Sequence, residues 1–361
     1  MRTLATIAVL VLSAPGMIAT DLKDTIAPPV EKFLAEKKNA GVVIGLRQNG
    51  TSSIFGFGTV FLPGGEQAPD ADTLFEIGSI TKGFTGILLA EAVRRGEVKL
   101  DTPAQDYLPP DLVLPKSEEA PITLGQLAVH HSGLVVQPPL IGLTAKNQAN
   151  PYADYDRVKL AAMLPKLKLS LKQDEKYVYS NLGAGLVGHA LVHMAKADSY
   201  NNLLQTRICK PLGLKNTTES LSGAQRARFA RGHKADGSPT SHWDFASLEA
   251  CGGIRSSAKD MLAFATVALG ETKSDLGPAI RDAFALRKKL NDVTSVGLFW
   301  HRTTRAGRPV TIWHNGATPA HRAILLLVPE TKTAVLVLSA IATEDVDKLG
   351  LELMELLAPK E

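Results

Sequence analysis

Both ends of this chain read as β-strand, and the middle does not. Gly41 to Arg47 and Ser52 to Val60 are apolar, β-branched runs, and Asn49-Gly50 between them is the dipeptide that favours a two-residue hairpin turn. Near the other end, Val310 to Trp313, Arg322 to Val328 and Thr333 to Ala340 read as successive strands, and a last helix is expected from about Thr343 to Leu357. Strands that far apart in sequence share a core most simply by forming one antiparallel sheet from both termini. The intervening stretch, roughly Gly83 to Leu290, shows mostly helical patterns and loops. The expected fold is therefore α/β, an antiparallel sheet flanked by helices with an inserted, mostly helical domain. Its α/β part comes from about 21–82 and 291–361, its helical part from about 83–290. A helix is also expected from Asp24 to Lys38, with Pro28-Pro29 near its start.

Residues 1–20 depart from this pattern. Met1-Arg2 is a short basic start, Leu4 to Leu12 is apolar, and small residues lead to Ala19-Thr20. That order is the one of a secretory signal peptide, and it implies export to the periplasm or beyond. The apolar run is short for a bilayer span, so no stable membrane span is expected after its removal. An uncleaved anchor or a buried first helix is the alternative. No cysteine lies near the segment, which argues against lipoprotein processing. Cys209 and Cys251 read as small buried residues rather than as a disulfide. The formal net charge of +4 is mild and scattered, without a basic stripe, so nucleic acid is not an expected partner. Oligomeric state is not legible.

The most informative segment runs from Ser79 to Ala90. It is a helix apolar nearly all round, and between Glu76 and Glu91 its only charge is Lys82. An isolated ammonium in a dry core either shifts its pKa or finds a partner. Ser79 lies three residues earlier, on the same helical face and at the helix start, where unpaired N–H groups and the helix dipole favour a developing oxyanion. A desolvated amine beside a serine hydroxyl can accept its proton, which makes Ser79 a nucleophile with its base. The plain alternative is a capping serine and a lysine that reaches solvent. Ser256-Ser257-Ala258-Lys259 repeats the spacing, but there the serine reads as a cap and the lysine as solvated.

Phe75-Glu76-Ile77-Gly78-Ser79-Ile80-Thr81-Lys82 resembles the active-site signature of class C β-lactamases, departing at Thr81 where those enzymes usually carry Ser or Ala. Tyr179-Ser180-Asn181 resembles the second element of serine penicillin-recognising enzymes, and His314-Asn315-Gly316-Ala317 resembles the His-x-Gly version of the third. The segments Gly96 to Pro109, Ile122 to Leu134, Pro211 to Thr218 and Cys251 to Phe264 also read like this family, so the likeness covers most of the mature chain. Tyr200-Asn201-Asn202 and His131-Ser132-Gly133 match the short patterns too, but outside the family's order and surroundings.

The resemblance implies a β-lactamase/transpeptidase-like fold with the site between the sheet and the helical domain, over a catalytic unit spanning 21–361. By the same resemblance, Ser79 is the nucleophile, and Lys82 and Tyr179 share the general-base and general-acid work. Asn181 contacts the substrate amide and Lys82. The N–H groups of Ser79 and Ala317 form an oxyanion hole beside Gly316. His314 and Asn315 face the substrate's carboxylate side, and Gln137 contacts the acyl amide. The substrate is then a small molecule: a β-lactam, a D-alanine-ending peptide or an ester. Water is the only co-reactant, with no cofactor and no metal. With His314 in place of a lysine, Tyr179 loses a fixed positive neighbour, and the rate is expected to change as His314 titrates.

Three other readings are weighed against this one. His189-x-x-x-His193 has the spacing of a zinc helix but no adjacent Glu and no third ligand. Gly183-x-Gly185-x-x-Gly188 matches a dinucleotide fingerprint but lacks its βαβ context, so these glycines are expected to allow close helix packing. A family-like module that acylates without turnover keeps the fold and drops the catalysis.

Overall fold

A computed structural model describes residues 19–35, 37, 40–117, 119–138, 146 and 148–357. The leader expected over 1–20 lies outside these except for Ala19 and Thr20, which open the first helix. The strands that frame the fold are β1 (Gly41–Gln48), β2 (Thr51–Gly58), β3 (Leu74–Glu76), β4 (Arg255–Ser257), β5 (Lys288–Lys289), β6 (Thr294–Val296), β7 (His301–Thr303), β8 (Thr311–Ala317), β9 (Arg322–Val328) and β10 (Thr333–Ser339). The helices that matter here are α1 (Ala19–Ala35), α2 (Ile80–Arg94), α3 (Asn181–Ala195), α4 (Ala258–Ala268), α5 (Gly277–Phe284) and α6 (Asp345–Leu357).

Eight strands form one sheet in the order β2-β1-β10-β9-β8-β7-β6-β5, with every neighbouring pair antiparallel. The β1–β2 hairpin turns on Asn49 and Gly50, both at positive φ (51° and 76°), as a tight turn matching the strand twist requires. The two chain ends meet where Val42 to Arg47 of β1 pair with Ala334 to Ser339 of β10.

Side chains alternate across this sheet. Ile44, Leu46, Ile324, Leu326, Val335 and Val337 point to one face, where α1 and α6 cover them with Ile26, Val30, Val346, Leu349 and Leu353. Val43, Leu325, Leu327, Leu336 and Leu338 point to the other, against Phe84 and Leu88 of α2 and Met261, Leu262 and Phe264 of α4. Both faces are buried, so the strands read in sequence as continuous apolar runs. Each such side chain taken fully from water contributes about 1.5–3 kcal/mol.

Several boundaries differ from expectation. Helix α1 runs 19–35 rather than 24–38, with Pro28 and Pro29 inside it. Strand β8 continues past Trp313 to Ala317, because its pairing with β9 extends to Ala317 opposite Arg322. Strands β5, β6 and β7 are two or three residues long, too short to leave a pattern. Gly185 and Gly188 lie on α3 where a Cβ would come within 2.3 Å of Leu248 and Ala250, so the glycine run serves helix contact, as expected. No helix among the described residues is long and apolar enough to cross a membrane.

Candidate active site

Strand β3 leads into α2 through a turn that only small residues permit. Gly78 has φ +49°, and a Cβ there would lie 2.6 Å from the backbone nitrogen of Ala317. A Cβ on Gly316 would lie 1.8 Å from the Ile77 carbonyl oxygen and 3.0 Å from the Ser79 nitrogen. The end of β8 is thus packed directly on the turn that presents Ser79, and the two glycines set that closeness. Ser79 stands at the start of α2 but makes no side-chain capping bond, so its hydroxyl is not consumed by the helix.

One turn on, Lys82 has no exposed surface. Its ammonium donates to three oxygens: Ser79 Oγ at 3.0 Å, Asn181 Oδ1 at 2.7 Å and the Cys251 carbonyl at 2.7 Å. It also lies 4.7 Å from the centre of the Tyr179 ring. Burial lowers its pKa to about 8, a fall slightly opposed by the nearby Cys251 thiol. The alternative of a lysine reaching solvent is thereby overturned.

Helix α3 supplies the second wall. Ser180 caps it, accepting from the Gly183 N–H at 2.9 Å and donating to the Val135 carbonyl at 2.7 Å. This fixes Tyr179 just before the helix and Asn181 at its first residue. Burial raises the Tyr179 phenol well above the ordinary value, although the Ser79 hydroxyl beside it acts to lower it. Gln137 Oε1 accepts from the Tyr152 hydroxyl at 3.2 Å, and the Asn181 side chain also acts on that hydroxyl. Ser79, Tyr179 and Asn181 are partly exposed and Gln137 and Ala317 exposed, whereas Lys82 and His314 are buried behind them.

The β8 residues divide by face. His314 lies 6.4 Å from Tyr179, ring centre to ring centre, on the inner face. Asn315 points the other way, donating to Asp347 of α6 at 2.6 Å, so it does not reach the substrate side expected for it. The two-residue alternation of a strand forces this separation. Burial, with the neighbouring His301 and Lys82, holds the His314 pKa well below the ordinary imidazole value. The charged imidazole is thus disfavoured, which runs against the titration near neutral pH expected of His314.

Sequence reasoning missed several neighbours. His130 is buried at φ +59°, accepts the Ser180 N–H on Nδ1 at 3.0 Å and packs 4.6 Å from the Tyr179 ring. His301 lies 5.2 Å from His314 and bonds the Tyr177 hydroxyl at 3.1 Å. Buried Glu76 accepts from the Trp243 N–H at 2.9 Å, the Thr318 hydroxyl at 2.7 Å and His321 Nδ1 at 3.0 Å, tying β3 to the segment after β8. Burial pushes the Glu76 pKa up, but His321 and Thr318 win and the net direction is down.

The decoys lie elsewhere. Ser257 caps α4, Ser256 bonds Thr217 at 2.8 Å, and Lys259 is exposed. Tyr200 is buried against Thr85 at 2.8 Å, and His131 bonds the Val129 carbonyl at 2.8 Å. His189 and His193 bond the carbonyls of Ser247 and Tyr107, and no metal-holding cluster occurs among the described residues. Cys209 and Cys251 are free and buried.

A family model described as Beta-lactamase matches residues 26–358. The chain is 28% identical over 255 residues to a protein named Beta-lactamase from Pseudomonas fluorescens, covering 71% of this chain and 67% of that one. It is 27% identical over 281 residues to the D-alanyl-D-alanine-carboxypeptidase/endopeptidase AmpH of Escherichia coli, covering 74% and 71%. Among solved structures, a class C β-lactamase from Rhodobacter sphaeroides superimposes with a TM-score of 0.78 at 25% identity, over 92% of this chain and 98% of that one. Another class C β-lactamase matches with a TM-score of 0.83 at 20% identity, over 95% and 98%, a likeness of fold.

Proposed function

The chain belongs to the Beta-lactamase family and is a serine hydrolase of the β-lactamase and D-alanyl peptidase type, and from that premise we propose that it works through an acyl-enzyme on Ser79. The observation that carries this reading is the 3.0 Å contact between Ser79 Oγ and a fully buried Lys82 Nζ. With a pKa of about 8, roughly a tenth of Lys82 is neutral at pH 7. The neutral amine still donates to Asn181 and the Cys251 carbonyl, which can only accept there, so its lone pair falls to Ser79.

Ser79 Oγ then attacks the acyl carbon as its proton passes to Lys82 Nζ. The N–H groups of Ser79 and Ala317 receive the oxyanion. Tyr179, held protonated by burial, gives its proton to the leaving nitrogen or oxygen as the acyl bond breaks, and regains one from Lys82. Water repeats the attack on the serine ester and frees the acid. Asn181 holds Lys82 in place, and Gln137 offers its amide to the acyl group.

The relatives' names support β-lactams and D-alanine-ending peptides as substrates. Carboxylic esters are the second reading, and the neutral, buried His314 favours it. The leader over residues 1–20, ahead of a catalytic unit over 21–361, supports export to the periplasm or medium.

A panel of nitrocefin, a D-Ala-D-Ala peptide and a p-nitrophenyl ester tests the proposal. Ser79→Ala is expected to lose at least about a thousandfold in kcat/KM on every substrate turned over. Ser256→Ala and Tyr200→Phe are expected to keep most of it. A folded Ser256→Ala that loses as much as Ser79→Ala would mean the wrong serine.

A further inference from the structure

We propose that a cavity between the C-terminal ends of α4 and α5 and the sheet is a second binding site, built for an organic carboxylate with an apolar body.

The cavity measures about 510 Å³. Its apolar wall is Val267 from the end of α4, Phe284 from the end of α5, and Val310 and Ile312 from the start of β8. Three cations line the same space: Arg281 of α5, Arg302 of β7 and Lys332 of the turn between β9 and β10. One carboxylate, Glu330, stands with them. Ser79, Lys82, Tyr179, Asn181 and His314 do not border it, so this is not an extension of the acyl-transfer cleft.

Two of the cations are fixed by helix ends. Arg302 is held in β7 opposite Ile312 of β8, and its Nη1 donates to the carbonyl of Phe284, the last residue of α5, at 2.7 Å. Lys332 Nζ donates at 2.5 Å to the carbonyl of Leu269, the cap residue of α4. Cations at helix C-termini are favourable, and capping explains one N–H of each. It explains neither the cavity they share nor the rest of their donors. Arg302 keeps Nη2, which donates to no described residue, and the Lys332 ammonium keeps two N–H groups. Arg302 is half-buried, and burial lowers its pKa with no carboxylate among the described residues opposing the fall. A guanidinium in that state has lost hydration without gaining an ion pair.

The lining selects the ligand by its two halves. Unspent N–H groups on a guanidinium and an ammonium suit a carboxylate, which takes charge-assisted bonds from both and matches the planar fork of Arg302. An inorganic anion would leave the apolar wall wet, and a neutral oil would leave the cations without a counter-charge. An amphipathic acid satisfies both, in a cavity of the size small ligands use.

The probe is decanoate below its micelle concentration, titrated beside 1-decanol and acetate and read by backbone amide NMR. Wild-type protein is expected to bind decanoate at least about tenfold tighter than either, with shifts at Phe284, Val310 and Ile312. Ser79→Ala is expected to bind it equally, because the site does not use the serine. Arg302→Met and Lys332→Met, made separately, are each expected to weaken decanoate about tenfold and to leave decanol unchanged. Lys332 is exposed, so its variant decides the matter if Arg302→Met does not fold. Decanoate binding no tighter than decanol, shifts confined to the surroundings of Ser79, or a folded Lys332→Met that keeps the full preference for decanoate overturns the proposal.

Discussion

Lys82 spends all of its hydrogen-bonding capacity on protein oxygens and none on water. Burial disfavours its charged form, and the nearby Cys251 thiol opposes that effect, so the pKa settles at about 8. The sign is direct: the amine becomes a base as pH rises through that value. Acylation by wild-type enzyme is therefore expected to climb through a single limb near pH 8, with no step between about pH 5 and 7 from His314. A stopped-flow profile measures it, and a step near pH 6.5 abolished in His314→Gln would contradict the neutral imidazole. At this scale Ser79 and Lys82 stand out in sequence because one charge in an apolar helix demands a partner, whereas Tyr179 stands out only through its resemblance to a family motif. His130, His301 and the Glu76–His321 pair were not, because nothing in a linear spacing says which polar residues share a buried pocket.

At the scale of elements, the site depends on β8 lying against the β3–α2 turn. Gly78 and Gly316 each leave room for backbone that a Cβ would strike, at 2.6 and 1.8 Å. Gly316→Ala is expected to cost about 2–4 kcal/mol of stability or to push β8 outward, with loss of turnover either way. Gly50, also at positive φ (76°) but with nothing within 4 Å, is the control. Gly50→Ala should cost about 1 kcal/mol and leave kcat unchanged. Urea denaturation beside steady-state kinetics separates the two, and equal behaviour would sink the argument for a tight seam. The long strands were readable because their apolar runs outlast a turn's length, and α6 because Val346, Leu349, Leu353 and Leu357 recur at helical spacing among charged residues. The role of Asn315 was not, since its outward aim follows from β8 extending to Ala317 through pairing with β9, a tertiary fact.

The whole molecule is what keeps Lys82 dry. Its three acceptors come from the start of α2, the start of α3 and the segment before β4. The sheet that backs them is closed only when residues from both chain ends pair in β1 and β10. A shifted Lys82 is therefore a property of the complete fold, absent from any isolated segment. The direct measurement is an NMR pH titration of lysines labelled at Cε, with the Lys82 signal assigned by its loss in Lys82→Arg. One lysine is expected to titrate near 8 in the native protein and to return to about 10.4 in concentrated urea. A native Lys82 signal titrating with the solvated lysines would contradict the account, because an amine that charged at pH 8 cannot serve as the base for Ser79.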